Sequence, residues 1–595
     1  MSISRTGPWP ATGEPLDAAL AALEAGSPIK RVTEQLLLAL ADGPAERVMQ
    51  ILRESRGAWL PISSLSGGRA LFLGNGLSGA SVSLARSGFE VTICEPEAAR
   101  VRFGQLRAAE LSRSPVTGTV AGTAPRLPFE DGEFDLVVLE LGLFGAHLPW
   151  GFGLEECRRV TRAEVVLIAD NRLGYKRSGG QHGVFHVPGP FEWLREVLVP
   201  PNAEHTLAGY RARFGRAGLA ARAFALYPHS GEFAYVVALD AAQPSLPVGP
   251  KERENRPKVI AKRLGLFSVL TPSFALAGSV SGTPRQTRLA RVLGALADRT
   301  GEPMPEAEHM VATRGNSALV LTRGSSPGGP GSWCLHVPFS PAQRGQVEAH
   351  FRHLELLRER FPGVPAPEPL FAGQIEGLYV TCERRLAGLG APQFTGDRAV
   401  AARMFREAAG HFSELVMEPP RAFTAEDFEH YVATKFALVG AFAEVPATLR
   451  ALDELEQRVR ATLVGNTFPL VFHHADLRSK HVQVEGPTGR VLGYLDWGSS
   501  ETPGLPYFDL LHLIVHERKQ EAQLSAGAAW RAVCEPGAAL RDYEREALDL
   551  YADRLGLDAA FRAAIAEAYP VLVGAMAEAN WDYSRPRWIH RQFGL

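Results

Sequence analysis

From about residue 68 the chain alternates short apolar runs with longer helical segments, and this alternation constrains its fold more than any other feature. RALFLGNG is typical of a strand that runs into a glycine turn, SGASVSLARSG of a helix, and FEVTICE of a second strand. FDLVVLELGL and AEVVLIAD predict further strands, with helical stretches before each. Strands that alternate with helices form a parallel sheet covered by helices on both faces. The sequence therefore predicts an α/β layer.

Length, charge and cysteine content exclude several classes of protein. The 595 residues exceed a single core, because domains usually hold ~100–200 residues. A formal net charge of -2 gives no long-range attraction to nucleic acid or to an anionic membrane. The five cysteines form no CxxC pair, which favours a reducing compartment. With neither a signal peptide nor an apolar run of ~18–20 residues, we expect a cytoplasmic protein without nucleic-acid or membrane partners.

Three glycines lie between the first predicted strand and its helix, namely Gly74, Gly76 and Gly79. Glu95 ends the next strand, about 20 residues on, where an acid is suited to bind ribose hydroxyls. Glycines let the backbone approach a ligand, and a helix N-terminus presents free N–H groups. The pattern predicts a nucleoside-binding turn, but it does not separate a dinucleotide from S-adenosylmethionine.

LPFEDGEFDLVVLELGL and the predicted terminal hairpin, AARAFALYP with EFAYVVALD, resemble class I S-adenosylmethionine-dependent methyltransferases. The resemblance implies that the three glycines and Glu95 bind S-adenosylmethionine, with Thr123 near the adenine where the family has an acid. The family also has an acid near the end of the first strand, and Phe72 stands at that position here. The alternative is a Rossmann-like layer that packs and binds nothing.

The segment ADNRLGYKRSGGQHG, followed by HTLAGYRARFGRAGL, resembles methyltransferase modules encoded with bacterial glycan and cell-envelope enzymes. This resemblance implies a small-molecule or glycan-type acceptor. His182 and His186 follow the fifth predicted strand and are either ordinary loop histidines or a substrate base. Methyl transfer needs chiefly positioning and deprotonation of the acceptor, so no single residue type identifies it.

A second set of motifs, FHHADLRSKHVQV, LDWGSS and PYFDLL, resembles the aminoglycoside phosphotransferase and choline kinase-like family, which is related to protein kinases. The resemblance implies ATP and Mg²⁺ as cofactors. It assigns Asp476 as the base that orients the acceptor hydroxyl and Asp496 as a magnesium ligand. His474 then packs to hold the loop, and Asp509 braces the lobe. Such catalysis is positioning plus neutralisation of phosphate charge.

Two departures from that family concern charge. His481 stands where the family has the asparagine that supplies the second metal ligand. Imidazole is a poor ligand for magnesium. His336, in LHVPF, stands where the family has its phosphate-binding lysine. No lysine occurs from 263 to 434. Loss of one preorganised charge commonly costs ~3–4 kcal/mol of transition-state stabilisation. We therefore expect a divergent pseudokinase, although Arg314 or Arg323 is an alternative source of the missing charge.

The predicted fold class is α/β plus α+β, a Rossmann-like methyltransferase sheet followed by a bilobal protein-kinase-like domain. The predicted parts are a helical N-terminal segment at 1–59, a methyltransferase-like domain at 60–240, a linker and bridging helix at 241–285, and a phosphotransferase-like domain at 286–595. Within the last domain, the small lobe is predicted at 286–385 and the large lobe at 386–595.

Three functions remain open from sequence alone. The first, which we rank highest, is a methyltransferase-like transferase fused to a divergent kinase-like domain. The second is a non-catalytic binding or scaffold protein in which both nucleotide sites are eroded and the kinase-like cleft binds a protein partner or metabolite. The third is an active small-molecule O-phosphotransferase that uses Asp476 as its base.

Overall fold

The structure is a computed structural model, and it describes residues 13–112, 114–120, 126–141, 153–174, 177–178, 185–186, 194, 205–230, 232–239, 264–313, 316–441, 443, 445–535 and 537–580. These residues form two compact units. The first contains the described residues of Met1–Ser326, Pro330–Arg344 and Phe371–Cys382. The second contains Pro327–Gly329, Gly345–Leu370 and the described residues of Glu383–Leu595.

The first unit begins with the helices that the sequence predicts. Its helices are α1 Gly13–Glu24, α2 Ile29–Ala39, α3 Asp42–Leu52, α4 Gly79–Arg86, α5 Ala98–Leu111, α6 Leu154–Val160, α7 Leu207–Arg216, α8 Phe267–Leu270 and α9 Arg288–Thr300. A 3₁₀ segment, Glu54–Ile62, follows α3, and all nine of its residues are buried. The segment therefore belongs to the core of the unit.

One sheet of thirteen strands runs through the first unit. Its strands are, in chain order, β1 Gly68–Leu73, β2 Phe89–Glu95, β3 Val116–Val120, β4 Phe134–Glu140, β5 Thr161–Asp170, β8 Ala220–His229, β9 Glu232–Ala238, β10 Ser273–Ser279, β11 Glu306–Ala312, β12 Ser317–Arg323, β13 Trp333–Pro338, β14 Pro369–Ile375 and β15 Leu378–Arg384. β6 Arg177–Ser178 and β7 Phe185–His186 pair separately.

The parallel part of the sheet has the order β3-β2-β1-β4-β5, and it is the α/β layer that the sequence predicts. Nine of the ten residues of β5 are buried, as expected for a strand with helices on both faces. β8 and β9 form the predicted antiparallel hairpin. The fold of this part is Rossmann-like, as predicted.

β10 lies between β5 and β8 and is antiparallel to both. It comes from the segment 241–285, for which the sequence analysis predicts a linker and a bridging helix and no strand. Residues 258–263 of that helix lie outside the described residues, and α8 is its described helical part. A short apolar run such as FALAGSV does not distinguish a buried strand from a buried helix by periodicity.

The rest of the sheet is antiparallel where its pairing is described. β9 pairs with β11, β11 with β12, and β12 with β13. The strands that the sequence predicts from SALVLTRG and SWCLHVPF are β12 and β13. Strands from the two predicted domains therefore share one sheet. The predicted domain boundaries stay predictions, because compact units and evolutionary domains need not coincide.

The second unit is mostly helical. Its helices are α10 Pro341–Arg360, whose first residues belong to the first unit, α11 Arg398–Ser413, α12 Ala425–Phe428, α13 Thr434–Gly440, α14 Pro446–Leu463, α15 Phe508–Glu521, α16 Ala526–Cys534, α17 Asp542–Leu555 and α18 Ala559–Asn580. Two three-stranded sheets carry its loops. They consist of β16 Leu389–Gly390, β19 Val482–Val484 and β20 Val491–Tyr494, and of β17 Val416–Ala422, β18 Thr467–His473 and β21 Glu501–Gly504. This is the kinase-like fold that the motifs predict.

Within the described residues, one helical stretch is long and apolar enough to cross a membrane. It is Ala559–Met576 in α18, and 56% of it is buried inside the protein. Phe561, Ile565 and Tyr569 belong to the apolar core of the second unit. The stretch therefore serves as a core helix in this structure.

Candidate functional site

The glycine turn of the first unit follows β1 directly and leads into α4. Ser78 is the N-cap of α4, and its hydroxyl accepts a hydrogen bond from the Ala80 N–H at 3.3 Å. Gly74, Gly76 and Gly79 lie in this turn, at the carboxyl end of a parallel strand. Ligands of open α/β sheets bind at this edge. The structure therefore places the predicted glycines where a nucleoside site is expected.

Glu95 lies at the carboxyl end of β2, beside the turn. One carboxylate oxygen, Oε2, accepts a hydrogen bond from the Gly76 N–H. The other oxygen, Oε1, forms an ion pair with Arg100 Nε at 2.6 Å. Burial raises the pKa of Glu95 to about 7, although Arg100 and the Gly76 N–H oppose that shift. The structure thus joins Glu95 to the turn, with Arg100 as an additional partner.

Close packing explains two of the glycines. A Cβ atom at Gly76 would lie 2.2 Å from the carbonyl oxygen of Arg100, and one at Gly79 would lie 2.2 Å from that of Arg53. Both carbonyl oxygens belong to the backbone and cannot move aside easily. Both positions therefore require glycine for the chain's own packing. The glycines are therefore not by themselves a sign of a ligand.

A buried polar cluster at the end of β4 was missed by the sequence analysis. Glu140 is fully buried, and it pairs with Arg56 Nη2 at 3.2 Å. The Ser78 hydroxyl donates to the other Glu140 oxygen at 3.1 Å. The acid at the end of FDLVVLE was a signal for Glu140. No local pattern predicts its pairing with Arg56, which is 84 residues away in sequence.

Other candidates of the first unit lie partly outside the described residues. Thr123 and His182 are not described, and His186 is described only in its backbone, in β7. Phe72 is buried within β1, at the position where the resemblance expects an acid. Glu95 is consequently the predicted cofactor-binding acid that the structure places at the turn.

The catalytic-type loop of the second unit follows β18 and is fixed by Asp509, near the start of α15. The two Asp509 oxygens accept hydrogen bonds from the backbone N–H groups of His474 at 2.7 Å and Ala475 at 2.8 Å. Ala475 has a φ of 67°, a left-handed conformation that is costly for a side chain. Asp509 therefore braces the loop backbone, the role that the resemblance implies.

His474 is fully buried beneath this loop. Its Nε2 lies 3.0 Å from the Leu495 carbonyl oxygen, and its ring centroid is 4.4 Å from that of Trp497. Burial lowers the pKa of His474. His474 therefore acts as a packing residue between the loop and the segment that carries Asp496.

Asp476 is buried at 5% exposure and has three cationic or imidazole neighbours. Arg478 pairs with its Oδ2. His512 Nε2 lies 3.5 Å from its Oδ1, and His481 Nδ1 lies 3.9 Å from its Oδ2. Burial acts to raise the pKa of Asp476, but His512 and Arg478 outweigh it and hold that pKa below the usual range. Asp476 is thus an ionised carboxylate at neutral pH.

Asp496 follows β20 and lies close to His481. Its φ is 65°, so it is a second residue of this site in the left-handed region. His481 Nε2 is 3.2 Å from Asp496 Oδ2. One ligand atom from each of Asp476, His481 and Asp496 lies within 4.8 Å of the others. The structure therefore brings the predicted base, the predicted metal ligand and the unexpected histidine together.

Two histidines of α10 hold the residue after Asp496, and the sequence analysis missed both. The Trp497 N–H donates to His350 Nδ1 at 2.9 Å, and His353 Nδ1 donates to the Trp497 carbonyl oxygen at 2.7 Å. His350 Nε2 in turn lies 2.5 Å from Glu383 Oε2. The spacing of the two histidines on one helix was a weak signal, but only tertiary structure shows what they contact.

His336 lies on β13, paired with Leu319 of β12, and it is half-buried. Its Nε2 is 3.8 Å from Cys334 Sγ. Arg323, one proposed source of the missing charge, ends β12 and pairs with Glu308 at 3.3 Å. The other, Arg314, lies outside the described residues.

Two family models match separate parts of the chain. Residues 71–169 match a model described as "Methyltransferase domain". Residues 311–548 match a model described as "Phosphotransferase enzyme family". The first match covers the glycine turn and Glu95, and the second covers Asp476 and Asp496.

Curated relatives resemble the first part. A demethylmenaquinone methyltransferase of Beutenbergia cavernae is 40% identical over 96 residues, which are 16% of this chain and 37% of that protein. A demethylmenaquinone methyltransferase of Thermobifida fusca is 37% identical over 101 residues, which are 17% of this chain and 42% of that protein. The chain thus spans about two fifths of the length of these relatives.

Solved structures resemble the chain only distantly. An aminoglycoside phosphotransferase, APH(3'')-Id of Streptomyces rimosus in complex with ADP and streptomycin, is 16% identical with a TM-score of 0.30; the match covers 48% of this chain and 99% of that one. A SAM-dependent methyltransferase of Aquifex aeolicus is 10% identical with a TM-score of 0.23, covering 44% and 98%. At these TM-scores neither match supports an argument about function.

The two family matches, together with the parallel sheet and the kinase-like loop, identify the organisation of the chain. It carries a methyltransferase domain and an aminoglycoside phosphotransferase-type domain of the phosphotransferase enzyme family, fused in one polypeptide.

Proposed function

We propose that the chain is an S-adenosylmethionine-dependent methyltransferase that acts on a small-molecule or glycan-type acceptor. The observation that carries this proposal is the contact between Glu95 and Gly76 at the carboxyl edge of β1 and β2. It joins the acid and the glycine turn that the family match contains. A Rossmann-like layer that binds nothing would contain the same contact. A binding measurement distinguishes the two cases.

The residues at the glycine turn have the chemical groups that S-adenosylmethionine needs. The turn from Gly74 to Gly79 and the N-terminus of α4 offer backbone N–H groups, and Glu95 offers a carboxylate for ribose hydroxyls. Glu95 Oε1 binds Arg100 in this structure, so a ribose diol has to displace or share that ion pair. When bound, S-adenosylmethionine supplies an electrophilic methyl group to the acceptor nucleophile.

The acceptor is a separate question from the cofactor. The curated relatives are demethylmenaquinone methyltransferases, and the matches to them cover 96 and 101 residues. The resemblance of ADNRLGYKRSGGQHG and HTLAGYRARFGRAGL to methyltransferase modules encoded with bacterial glycan and cell-envelope enzymes supports a small-molecule or glycan-type acceptor. We further propose a cytoplasmic protein without nucleic-acid or membrane partners. The scattered cysteines support the compartment, and the near-neutral charge supports the lack of those partners.

Isothermal titration of the full chain with S-adenosylhomocysteine tests cofactor binding. We expect saturable heat for the wild type and about tenfold to hundredfold weaker binding for Glu95→Gln, because the variant loses a charged hydrogen-bond acceptor. A neutral amide suits this site, since burial already raises the pKa of Glu95 to about 7.

Glu97→Gln is the matched control. Glu97 is 62% exposed and contacts the same Arg100 at 3.4 Å, so its replacement removes a neighbouring charge without touching the turn. We expect its binding to equal that of the wild type. Absence of heat at millimolar ligand in the wild type would refute the proposed cofactor.

For the second domain we propose a divergent phosphotransferase with little or no standard Mg·ATP-dependent activity, because His336 and His481 replace the lysine and the asparagine of the family pattern. An active small-molecule O-phosphotransferase is the second candidate function. The observation that favours it is the loop of Asp476, which Asp509 holds in an ordered conformation.

A further inference from the structure

Three side chains of the second unit form a cluster of metal-ligand type whose composition does not suit magnesium. We propose that Asp476, His481 and Asp496 bind one divalent transition-metal ion, of the Mn²⁺ to Zn²⁺ series, in preference to Mg²⁺. The proposal does not rest on methyl transfer, which concerns the other domain. It changes the role of Asp476 from a base to a metal ligand.

The hydrogen bonding of His481 fixes which ring nitrogen is available. His481 Nδ1 lies 2.7 Å from the backbone carbonyl oxygen of Asp476. A carbonyl oxygen only accepts hydrogen bonds, so Nδ1 carries a proton and donates it. Metal-binding histidines are commonly oriented in this way, with the non-ligating nitrogen bound to a backbone carbonyl. Nε2 is therefore the nitrogen that is directed at Asp496.

The contact between His481 and Asp496 needs a positive charge between its two atoms. Nε2 of the Nδ1-protonated ring has a lone pair, and a carboxylate oxygen has only lone pairs. They lie 3.2 Å apart. Two ligands of one ion with bonds of about 2.0–2.2 Å lie roughly 3 Å apart, so this separation is already that of a shared metal. A second ring proton is the alternative occupant.

Asp476 supplies an independent observation. It is 5% exposed, and within the described part of the chain its Oδ1 makes no hydrogen bond. The approach of His512 Nε2 to this atom is 3.5 Å. A buried carboxylate oxygen without a hydrogen bond is costly. A ligand bond from Oδ1 to a cation would compensate that cost. Asp476 offers one ligand atom within 4.8 Å of those of His481 and Asp496, and its Oδ2 is held by Arg478.

The chemistry of the ligands selects the metal. Mg²⁺ prefers oxygen ligands in octahedral geometry, whereas imidazole suits Mn²⁺, Fe²⁺, Co²⁺ and Zn²⁺ increasingly well. One imidazole and two carboxylates, with positions left for water, make a site of the second type. Replacement of His481 by asparagine would restore an oxygen ligand and remove the basis of the selectivity.

Titration of the chelator-treated full chain with Co²⁺ and Mn²⁺ tests the site. Co²⁺ is followed by its visible absorption, and free Mn²⁺ by electron paramagnetic resonance. We expect one ion per chain, at least tenfold tighter binding of Co²⁺ than of Mg²⁺ by competition, and at least tenfold weaker Co²⁺ binding in His481→Asn. Asp496→Asn should lose the site. Because the Asp496 side chain is 58% exposed, this variant does not threaten folding.

His430→Asn is the control for adventitious imidazole binding, because His430 is exposed and lies apart from the cluster in the sequence. Its titration should equal that of the wild type. The proposal is overturned by the absence of stoichiometric Co²⁺ binding, by Mg²⁺ binding of equal strength, or by His481→Asn titrating like the wild type. None of these outcomes bears on S-adenosylhomocysteine binding.

Discussion

Glu95 shows how burial and pairing set the behaviour of a single residue. Its side chain is fully buried, and each oxygen has a partner from the chain itself, the Gly76 N–H and Arg100. Burial nevertheless raises its pKa to about 7. The residue therefore changes its charge near neutral pH, and only the ionised form accepts two hydrogen bonds from a ribose diol.

Cofactor affinity should consequently depend on pH. Because the pKa of Glu95 in the folded protein is about 7, the ionised fraction rises about tenfold from pH 6 to pH 8. We expect S-adenosylhomocysteine to bind up to about tenfold more tightly at pH 8 than at pH 6. Titrations at three pH values would measure this, and Glu95→Gln should remove the dependence. Tighter binding at the lower pH would contradict it.

Sequence reasoning identified residues whose role is local. The resemblance of three motifs to the phosphotransferase family implied roles for Asp476, Asp496 and Asp509, and the structure places each of them at or beside the loop of the second unit. Sequence reasoning missed the partners that come from distant segments, such as Arg56 for Glu140 and the α10 histidines for Trp497. Those pairings depend on tertiary packing, which no short pattern contains.

At the scale of elements, the 3₁₀ segment Glu54–Ile62 packs against α4, the helix that follows the glycine turn. Gly57 and Gly79 allow the close approach, since a Cβ at Gly57 would lie 2.5 Å from Ser83 Cβ. Ser83 Oγ donates to the Glu54 carbonyl oxygen at 2.7 Å. The turn therefore packs against a segment that begins before the predicted methyltransferase-like domain at 60–240.

Gly79→Ala tests this packing. The new methyl group would meet the Arg53 carbonyl oxygen at 2.2 Å, so we expect a loss of about 1–3 kcal/mol in the free energy of unfolding. Gly215→Ala is the control, because no atom lies within 4 Å of its new Cβ and alanine is the better helix former. Chemical denaturation of both variants measures the difference. Equal stability of Gly79→Ala and the wild type would show that α4 is not held this way.

Some strands of the first unit could be predicted from sequence, and others could not. The sequence predicted the parallel strands and the β8–β9 hairpin, because apolar runs and turn residues alternate clearly there. It did not predict β10, because a short apolar run after a proline-rich stretch carries no periodicity that separates strand from helix. Its place between β5 and β8 is a property of the whole sheet.

At the scale of the molecule, two domains of transferase families share one chain, and the sheet of the first unit includes strands from both predicted domains. The sequence identified both families from separate motifs. It did not show that the strands of the predicted small lobe join the methyltransferase sheet, because strand order is a long-range property. We propose that methyl transfer is the function of the chain and that standard Mg·ATP phosphoryl transfer is not.

A thermal-shift measurement on the full chain, made in parallel with S-adenosylhomocysteine and with Mg·ATP, separates these two functions. A ligand at 100 times its dissociation constant stabilises the folded state by about 2.7 kcal/mol, which is a rise in midpoint of roughly 2–4 °C for a cooperative unit of ~300–600 residues. We predict such a rise with S-adenosylhomocysteine and little change with Mg·ATP. A rise with Mg·ATP alone that Asp496→Ala abolishes, with no response to S-adenosylhomocysteine, would contradict the account.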